Sequence, residues 1–330
     1  MPAKKKRKKK KKKIGCLLPL LMVCAVLIGH LTARFSYQYN YTLSLLDRES
    51  GIDLSEIEVD EKNLASQNKI TNILLVGADK RESWKEAGRS DSVMILTIDQ
   101  EHKQLKLTSL MRDLYIDIPE HGKNRFNAAY SYGGISLLYK TITKNFGIKA
   151  DGYAIVDFAA FKEVVDTIGG VEVELTDAEY KYLTTAYAKT KGSVKKVKPG
   201  LNTLNGEQAL AYTRIRQDAK ADFGRTERQR TVLQSVFTKA KSMSIGELLG
   251  LAEKILPSIA TDLKNEEITS YIMTVLTMGT TEFQQFRIPV DYSFQNQTIN
   301  GMQVLVPDIQ MNVQALQQFI FMEVPSKEVE

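Results

Sequence analysis

The 330-residue chain predicts an α/β fold: a single extracellular domain with a central mixed β-sheet flanked by helices, preceded by one transmembrane helix. Three observations carry that prediction. From residue 70 onward, short apolar runs bounded by turn residues alternate with helical periodicity, as strands interleaved with helices do. Twenty residues without a Lys, Arg, Asp or Glu, Ile14–Ala33, stand near the N-terminus. No internal repeat and no sharp change of composition divides residues 70–325, so these elements belong to one body.

The N-terminal elements follow from charge. The chain holds 45 Lys or Arg against 39 Asp or Glu, a formal charge of +6. Ten of the basic residues are consecutive, Lys4–Lys13, which leaves 35 basic against 39 acidic residues elsewhere. A body that binds nucleic acid would carry positive charge on its folded surface. Here the excess belongs to a tail, so nucleic acid is not expected as a partner. Twenty residues at about 1.5 Å rise span a hydrocarbon core of about 30 Å, which makes 14–33 a transmembrane helix. A secretory signal would have a shorter apolar region and a small-x-small cleavage site. The basic side of a span stays in the cytoplasm. Residues 1–13 are thus a cytoplasmic polybasic tail held by anionic lipid, and the body lies outside the cell membrane. Both Cys residues, Cys16 and Cys24, fall in the span, so the exported body must rely on its core rather than on disulfides.

Residues 34–69 are polar and read as an extracellular stalk that turns helical near the body. Ile73–Val76, Ser92–Ile98 and Leu105–Leu110 read as strands of one sheet. Ile135–Asn145 and Phe158–Ile168 read as helices, the second stopped by Gly169-Gly170. A polar, Lys-rich insertion over 176–203 closes at Pro199-Gly200. Helices are expected over 204–212 and 224–242, then a helical stretch to about 278. A late strand, Phe283–Val290, and a last helix, Asn312–Phe321, complete the body.

Charged residues gather at the ends of these elements. Asp79 and Arg81 follow the first strand, Arg89 and Asp91 precede the second, and Arg112-Asp113 follows the third. Arg214 and Arg216 are two apart, a spacing that shares one face of an extended segment. Arg225, Arg228 and Gln229 share a helix face. Aspartates at strand ends suit Mg²⁺, which takes one or two carboxylates and completes its shell with phosphate oxygens and water. Arginine gives phosphate planar, permanently charged donors. These residues fit an anion site suited to phosphoryl transfer, and they equally fit surface salt bridges at loop ends. Asp222 reads as a helix cap or arginine partner before a general base. His102 and His121 have no motif around them and read as exposed loop residues.

Taken together, Leu75-Val76-Gly77-Ala78-Asp79-Lys80-Arg81, Arg89-Ser90-Asp91, Ser109-Leu110-Met111-Arg112-Asp113, Asn127-Ala128-Ala129-Tyr130 with Gly133-Gly134, Asn205 through Arg216, and Asp222 through Gln229 resemble the LytR-CpsA-Psr family. The resemblance covers residues 71–230, with its motifs in family order. It implies a catalytic domain over 70–325 and a phosphotransferase that moves a secondary cell-wall polymer, such as wall teichoic acid or capsule, from undecaprenyl diphosphate to peptidoglycan. It implies Mg²⁺ at Asp79 and Asp91, and catalytic Arg112, Arg214 and Arg216. Arg81, Arg89, Arg225, Arg228 and Gln229 would then hold the diphosphate. Two positions depart from the family pattern: Met111 replaces a usual Pro and Arg125 a usual Lys. The competing expectation is a membrane-anchored regulator that binds polyprenyl-diphosphate lipid without turning it over.

Overall fold

The computed structural model describes residues 17–46, 52–59, 64–78, 90–187, 196–216 and 221–325. The polybasic tail lies outside them, as do Asp79, Arg81 and Arg89. Helix α1 runs unbroken over Leu17–Ser44. Among the described residues no helix is long and apolar enough to cross a membrane; the side chains of most of the 14–33 stretch fall outside that set.

Leu45–Glu330 form a second compact unit. In chain order it contains β1 (Ile70–Ala78), β2 (Ser90–Asp99), β3 (Gln104–Leu110), β4 (Tyr115–Ile118), β5 (Gly122–Arg125), α2 (Asn127–Phe146), β6 (Gly152–Asp157), α3 (Phe158–Thr167), β7 (Val171–Leu175), α4 (Asp177–Lys181), β8 (Gly200–Leu204), α5 (Gly206–Tyr212), α6 (Ala221–Ser242), α7 (Ile245–Ile255), β9 (Ile259–Thr261), α8 (Asn265–Met278), β10 (Phe283–Ile288), β11 (Phe294–Ile299), β12 (Met302–Pro307) and α9 (Ile309–Phe321). The central sheet has six strands in the order β10-β3-β2-β1-β6-β9. It is mixed, as expected: β1 pairs antiparallel with β2 and parallel with β6, and β3 pairs parallel with β10.

The period of two along each strand sorts its side chains between two cores. Leu74, Val76 and Ala78 of β1 and Val93 and Ile95 of β2 pack with α2 and α9. Ile73 of β1, Ile98 of β2 and Leu105 of β3 face the other way, with Phe237 of α6 and Ile268, Tyr271 and Val275 of α8. Helices therefore cover both faces. A third cluster joins α3, β7, β8, α5 and α6 through Val165, Val173, Leu204, Ala209 and Val232.

Several expectations change. Leu54 and Ile57 sit in the main core, so the folded unit takes in part of the expected stalk. Within the expected stalk, α1 continues to Ser44 and a single 3-10 turn, Leu54–Glu56, capped by Asp53, stands beside the core, as expected of a stalk that turns helical near the body. The insertion over 176–203 contributes α4 and most of β8, which pairs with β7. The stretch before residue 278 is two helices with the short strand β9 between them. His102 is half-buried and bonded to Asp99 at 2.7 Å. Beside it, fully buried Lys106 donates to Asp99 at 2.6 Å and to the carbonyls of Ile320 and Met322, pinning the end of α9 to the β2–β3 hairpin.

Candidate active site

Strands β1, β3, β6 and β10 run in one direction, and at the carboxyl ends of β1 and β3 the sheet meets the first turn of α6. Open α/β sheets bind their ligands at that end. β1 and β2 pair Gly77 with Ser92 and Ala78 with Ser90, which leaves Asp91 as the extra residue of a bulge. A bulge re-aims the side chain it carries; Asp91 stands 3.7 Å from Arg112.

Arg112 occupies the centre. Its guanidinium lies 3.3 Å from Asp113 and 3.5 Å from Asp222 in the first turn of α6. Asp222 also faces Arg216 and Arg225, each at 3.4 Å, and Arg125 stands 3.5 Å from Asp113. Arg225 is only 3% exposed, and its Nε and Nη1 have no hydrogen-bond partner among the described residues. Burial first, then the neighbouring Arg112, pulls Arg225 down to about 10 against the attraction of Asp222. Four guanidinium groups, Arg112, Arg125, Arg216 and Arg225, outnumber the three carboxylates Asp91, Asp113 and Asp222, and buried donors of Arg225 are unmet, an arrangement that an anion would complete.

The other sequence-predicted residues divide. Gln229 accepts a hydrogen bond from Ser92 at 3.2 Å, beside the bulge, and Arg230 donates to Ser109 at 2.8 Å; together they seat α6 on the sheet. Arg228 does not join the cluster. It is 4% exposed and donates to Glu179 at 2.6 Å and to the Ile215 carbonyl at 3.1 Å. Arg214 and Arg216 do not share a face, because the backbone after α5 continues as a turn, with Arg214 N–H bonded to Ala211 and Ile215 N–H to Tyr212. Arg216 reaches Asp222, whereas Arg214 lies over the Phe158 ring at 4.2 Å. The Asn205-Gly206-Glu207-Gln208 motif is structural: Asn205 and Gln208 form a capping box, and a Cβ on Gly206 would come within 2.4 Å of the Lys162 carbonyl.

A cleft of about 550 Å³ opens from this cluster. One wall is Arg112, Asp113, Arg216 and Asp222; the other is the β11–β12 hairpin with Asn296 and Gln303. Sequence reading missed the hairpin, and noted Asp113 beside Arg112 without giving it a role. The Asn300-Gly301 pair, both at positive φ in the turn between β11 and β12, is the signal that could have found the hairpin.

Asp113 and Asp222 both flank the Arg112 guanidinium. Burial, and then the Asp222 carboxyl, raises Asp113 to about 6. Burial would raise Asp222 too, but the Asp113 hydrogen bond with Arg225, Arg112 and Arg216 outweighs it and holds Asp222 near about 2. The pair can take up one proton near neutral pH, the range in which a general base works best.

The fold and site define an α/β protein with an arginine-lined cleft at the carboxyl end of its sheet. The chain belongs to the LytR-CpsA-Psr family, whose model matches residues 39–319. It is 31% identical over 232 residues to the regulatory protein MsrR of Staphylococcus aureus, covering 69% of this chain and 67% of that protein. It is 36% identical over 222 residues to the polyisoprenyl-teichoic acid–peptidoglycan teichoic acid transferase TagU of Bacillus cereus, covering 66% of this chain and 67% of that protein. Its fold matches TagT bound to LIIa-WTA with a TM-score of 0.63 at 26% identity, over 83% of this chain and 98% of that one. A structure of TagT with bound octaprenyl pyrophosphate lipid matches at a TM-score of 0.58 and 25% identity, over 83% and 98% of the two chains.

Proposed function

We propose that the protein is a phosphotransferase that moves a secondary cell-wall polymer, of the wall teichoic acid or capsule kind, from undecaprenyl diphosphate to peptidoglycan. The observation that carries this reading is Arg225, buried with unmet donors beside Arg112 and Arg216. A diphosphate supplies the oxygens those donors lack.

In the reaction, the acceptor hydroxyl oxygen attacks the sugar-proximal phosphorus. The bond from that phosphorus to the bridging oxygen breaks, and undecaprenyl phosphate leaves with the electron pair. Arg112, Arg216 and Arg225 hold the charge that develops on the phosphoryl oxygens. The Asp113–Asp222 pair accepts the hydroxyl proton. Among the described residues no group of three or more His, Cys, Asp or Glu is placed to hold a metal; Asp91, the bulge residue, stands 3.7 Å from Arg112. Mg²⁺ needs only one or two protein carboxylates when phosphate supplies the rest of its shell. Asp79 and Asp91 would hold it, where it would neutralise phosphate charge.

The same reading makes the chain a single-pass protein of the cell membrane, with its N-terminus in the cytoplasm and its catalytic domain outside. The charge asymmetry around Ile14–Ala33 and the continuous helix Leu17–Ser44 support it. Protease added to intact protoplasts should then remove the body and spare the tail.

The second reading, a lipid-binding regulator, has in its favour the regulatory name of the Staphylococcus aureus relative. Incubation of the full chain with labelled lipid-linked polymer and peptidoglycan sacculi separates the two. The phosphotransferase reading expects label to become covalently bound to the sacculi; a regulator would bind the lipid and leave the sacculi unlabelled.

A further inference from the structure

One sequence motif takes no part in the cleft: Asn127-Ala128-Ala129-Tyr130 followed by Gly133-Gly134. It opens α2, and the glycine pair breaks that helix directly after Tyr132. Gly134 stands at φ 60 and ψ −149, a combination open to glycine and closed to bulkier residues. A Cβ on Gly133 would lie 2.6 Å from that of Leu137. Ala129 and Tyr130 enter the main core, whereas Tyr132 stays outside it, 49% exposed.

Tyr132 meets the turn of the β4–β5 hairpin. Pro119-Glu120-His121 is a three-residue loop between paired Ile118 and Gly122, with Glu120 at φ 66 and His121 N–H donating to the Ile118 carbonyl at 3.0 Å. The exposed His121 ring stacks on Tyr132, with 4.7 Å between centroids and 26° between planes. Asn124 fixes the pair through both ends of its amide. Its oxygen accepts from Arg125 N–H at 2.8 Å, and its nitrogen donates to the Tyr132 hydroxyl at 2.9 Å. That hydroxyl is an acceptor here, so its own O–H remains a donor. Among the described residues neither this O–H nor the His121 ring nitrogens have a hydrogen-bond partner.

A lone exposed tyrosine needs no explanation. Two stacked rings locked by an amide form a surface already ordered for a ligand, which removes part of the cost of binding. An aromatic face fringed by a hydroxyl and ring nitrogens suits a pyranose, which is apolar on its ring face and hydroxylated at its edge. The patch is a few side chains wide, far short of the roughly 1,200 Å² that a stable contact between two copies buries. Its rim is polar, with Glu120, Lys123 and Asn124. Side chains alternate along a strand, so Asn124 turns to Tyr132 while its neighbour Arg125 lines the cleft. The patch therefore lacks the guanidinium that a phosphate-bearing polymer would seek. Four strand residues separate His121 from Arg125, at most about 13 Å, a distance that a few sugars span.

We propose that the stacked His121–Tyr132 pair is an accessory glycan-binding platform outside the cleft, which takes one uncharged pyranose ring of the acceptor glycan strand a few sugars from the hydroxyl that reacts. It rests on the phosphotransferase reading and adds to it a hold on the acceptor remote from the chemistry. Contacts to such non-reacting parts of a substrate orient the group that reacts.

The test uses the full chain in nanodiscs with three probes: peptidoglycan sacculi, an N-acetylglucosamine tetrasaccharide and octaprenyl diphosphate. The variants are Tyr132→Ala, His121→Ala and Tyr132→Phe, each with a melting curve. The two alanine variants should bind sacculi and tetrasaccharide about tenfold more weakly. They should need about tenfold more sacculi for half-maximal transfer, with the rate at saturation and the octaprenyl diphosphate affinity maintained. Tyr132→Phe keeps the ring and loses the hydroxyl, so its glycan affinity should fall by about fivefold. Wild-type affinity for both glycans in the folded alanine variants overturns the inference. Equal weakening of octaprenyl diphosphate also overturns it, since the pair would then only support the cleft, as does a change confined to the oligomeric mass, which would make it a contact between copies. A wild-type chain that binds the glycans and transfers no polymer instead defeats the phosphotransferase reading, so the two failures are distinct.

Discussion

Arg112 and Asp222 meet at 3.5 Å, joining the residue that follows β3 to the first turn of α6. Through this contact the sheet end and the helix N-terminus share one electrostatic unit, and Asp222 gathers Arg216 and Arg225 around the same point. Among the described residues, Arg112 is the one guanidinium that faces Asp91, Asp113 and Asp222 together. Replacing it with Lys keeps the charge and loses the planar fork that spans them. The Arg112→Lys variant should transfer polymer about a hundredfold more slowly with an unchanged circular-dichroism spectrum. Comparison of initial transfer rates checks this.

Asp91 gives a prediction about the metal. Asp91→Asn keeps the shape of the bulge and removes one carboxylate charge. Transfer should fall by about two orders of magnitude or more, with a higher Mg²⁺ concentration needed for half-maximal rate, while the melting temperature holds. Asp79→Asn should behave alike. Wild-type Mg²⁺ dependence in both folded variants would remove the metal from these residues.

Arg225 and Arg228 lie on one helix and should part company when substituted. Arg228 is locked to Glu179 in a buried ion pair, and removing one partner strands the other, at about 3–5 kcal/mol. Arg228→Met should therefore lower stability in a urea titration by that order. Arg225→Met deletes a buried cation whose Nε and Nη1 lack hydrogen bonds, and its partner Asp222 keeps Arg112 and Arg216, so it should leave stability unchanged or raise it, and should weaken octaprenyl diphosphate binding at least about tenfold.

How far the sequence made this legible differs from element to element. The three strands at 73–110 and the late strand were readable because their apolar runs are long and end at turn residues. β6 was hidden, a short run that opens at Gly152, whereas β7 was legible, since Val171, Val173 and Leu175 alternate with exposed Glu172 and Glu174 as a half-buried strand does. The arginine cluster was legible residue by residue, but its geometry was not. Arg214 and Arg216 share a face only on an extended backbone, and the turn after α5 separates them. Arg228 belongs to the helix face expected for it, yet its partner Glu179 comes from the 176–203 insertion, forty-nine residues away, and no local pattern reveals that pairing. Asp113 became prominent only once folding placed Asp222 against it.

The carboxyl pair sets a pH dependence. Asp113 is raised to about 6 by burial and by Asp222. A carboxyl with a raised pKa adds stability while it is protonated, fully below its unfolded value near 4, and loses it as pH rises through about 6. Asp113→Asn lacks this titration. The melting temperature of the wild type relative to Asp113→Asn should therefore fall between pH 4 and 7 and level off above. Asp222, held down to about 2, adds stability above pH 4 that disappears only as pH drops through about 2. A difference between wild type and variant that stays constant across pH 4–7 would show that the two carboxyls do not share a proton.

The central claim is that the arginine cluster at the end of the sheet holds a diphosphate whose bridging bond the protein breaks. Phosphorus NMR of lipid-linked polymer incubated with the full chain, peptidoglycan and Mg²⁺ measures that bond directly. The account predicts that the diphosphate resonances decline as polyprenyl phosphate and a polymer phosphodiester appear in equal amounts, and that Arg225→Met abolishes both. Diphosphate resonances that broaden on binding yet persist without product, through prolonged incubation with a folded wild-type protein, would contradict it.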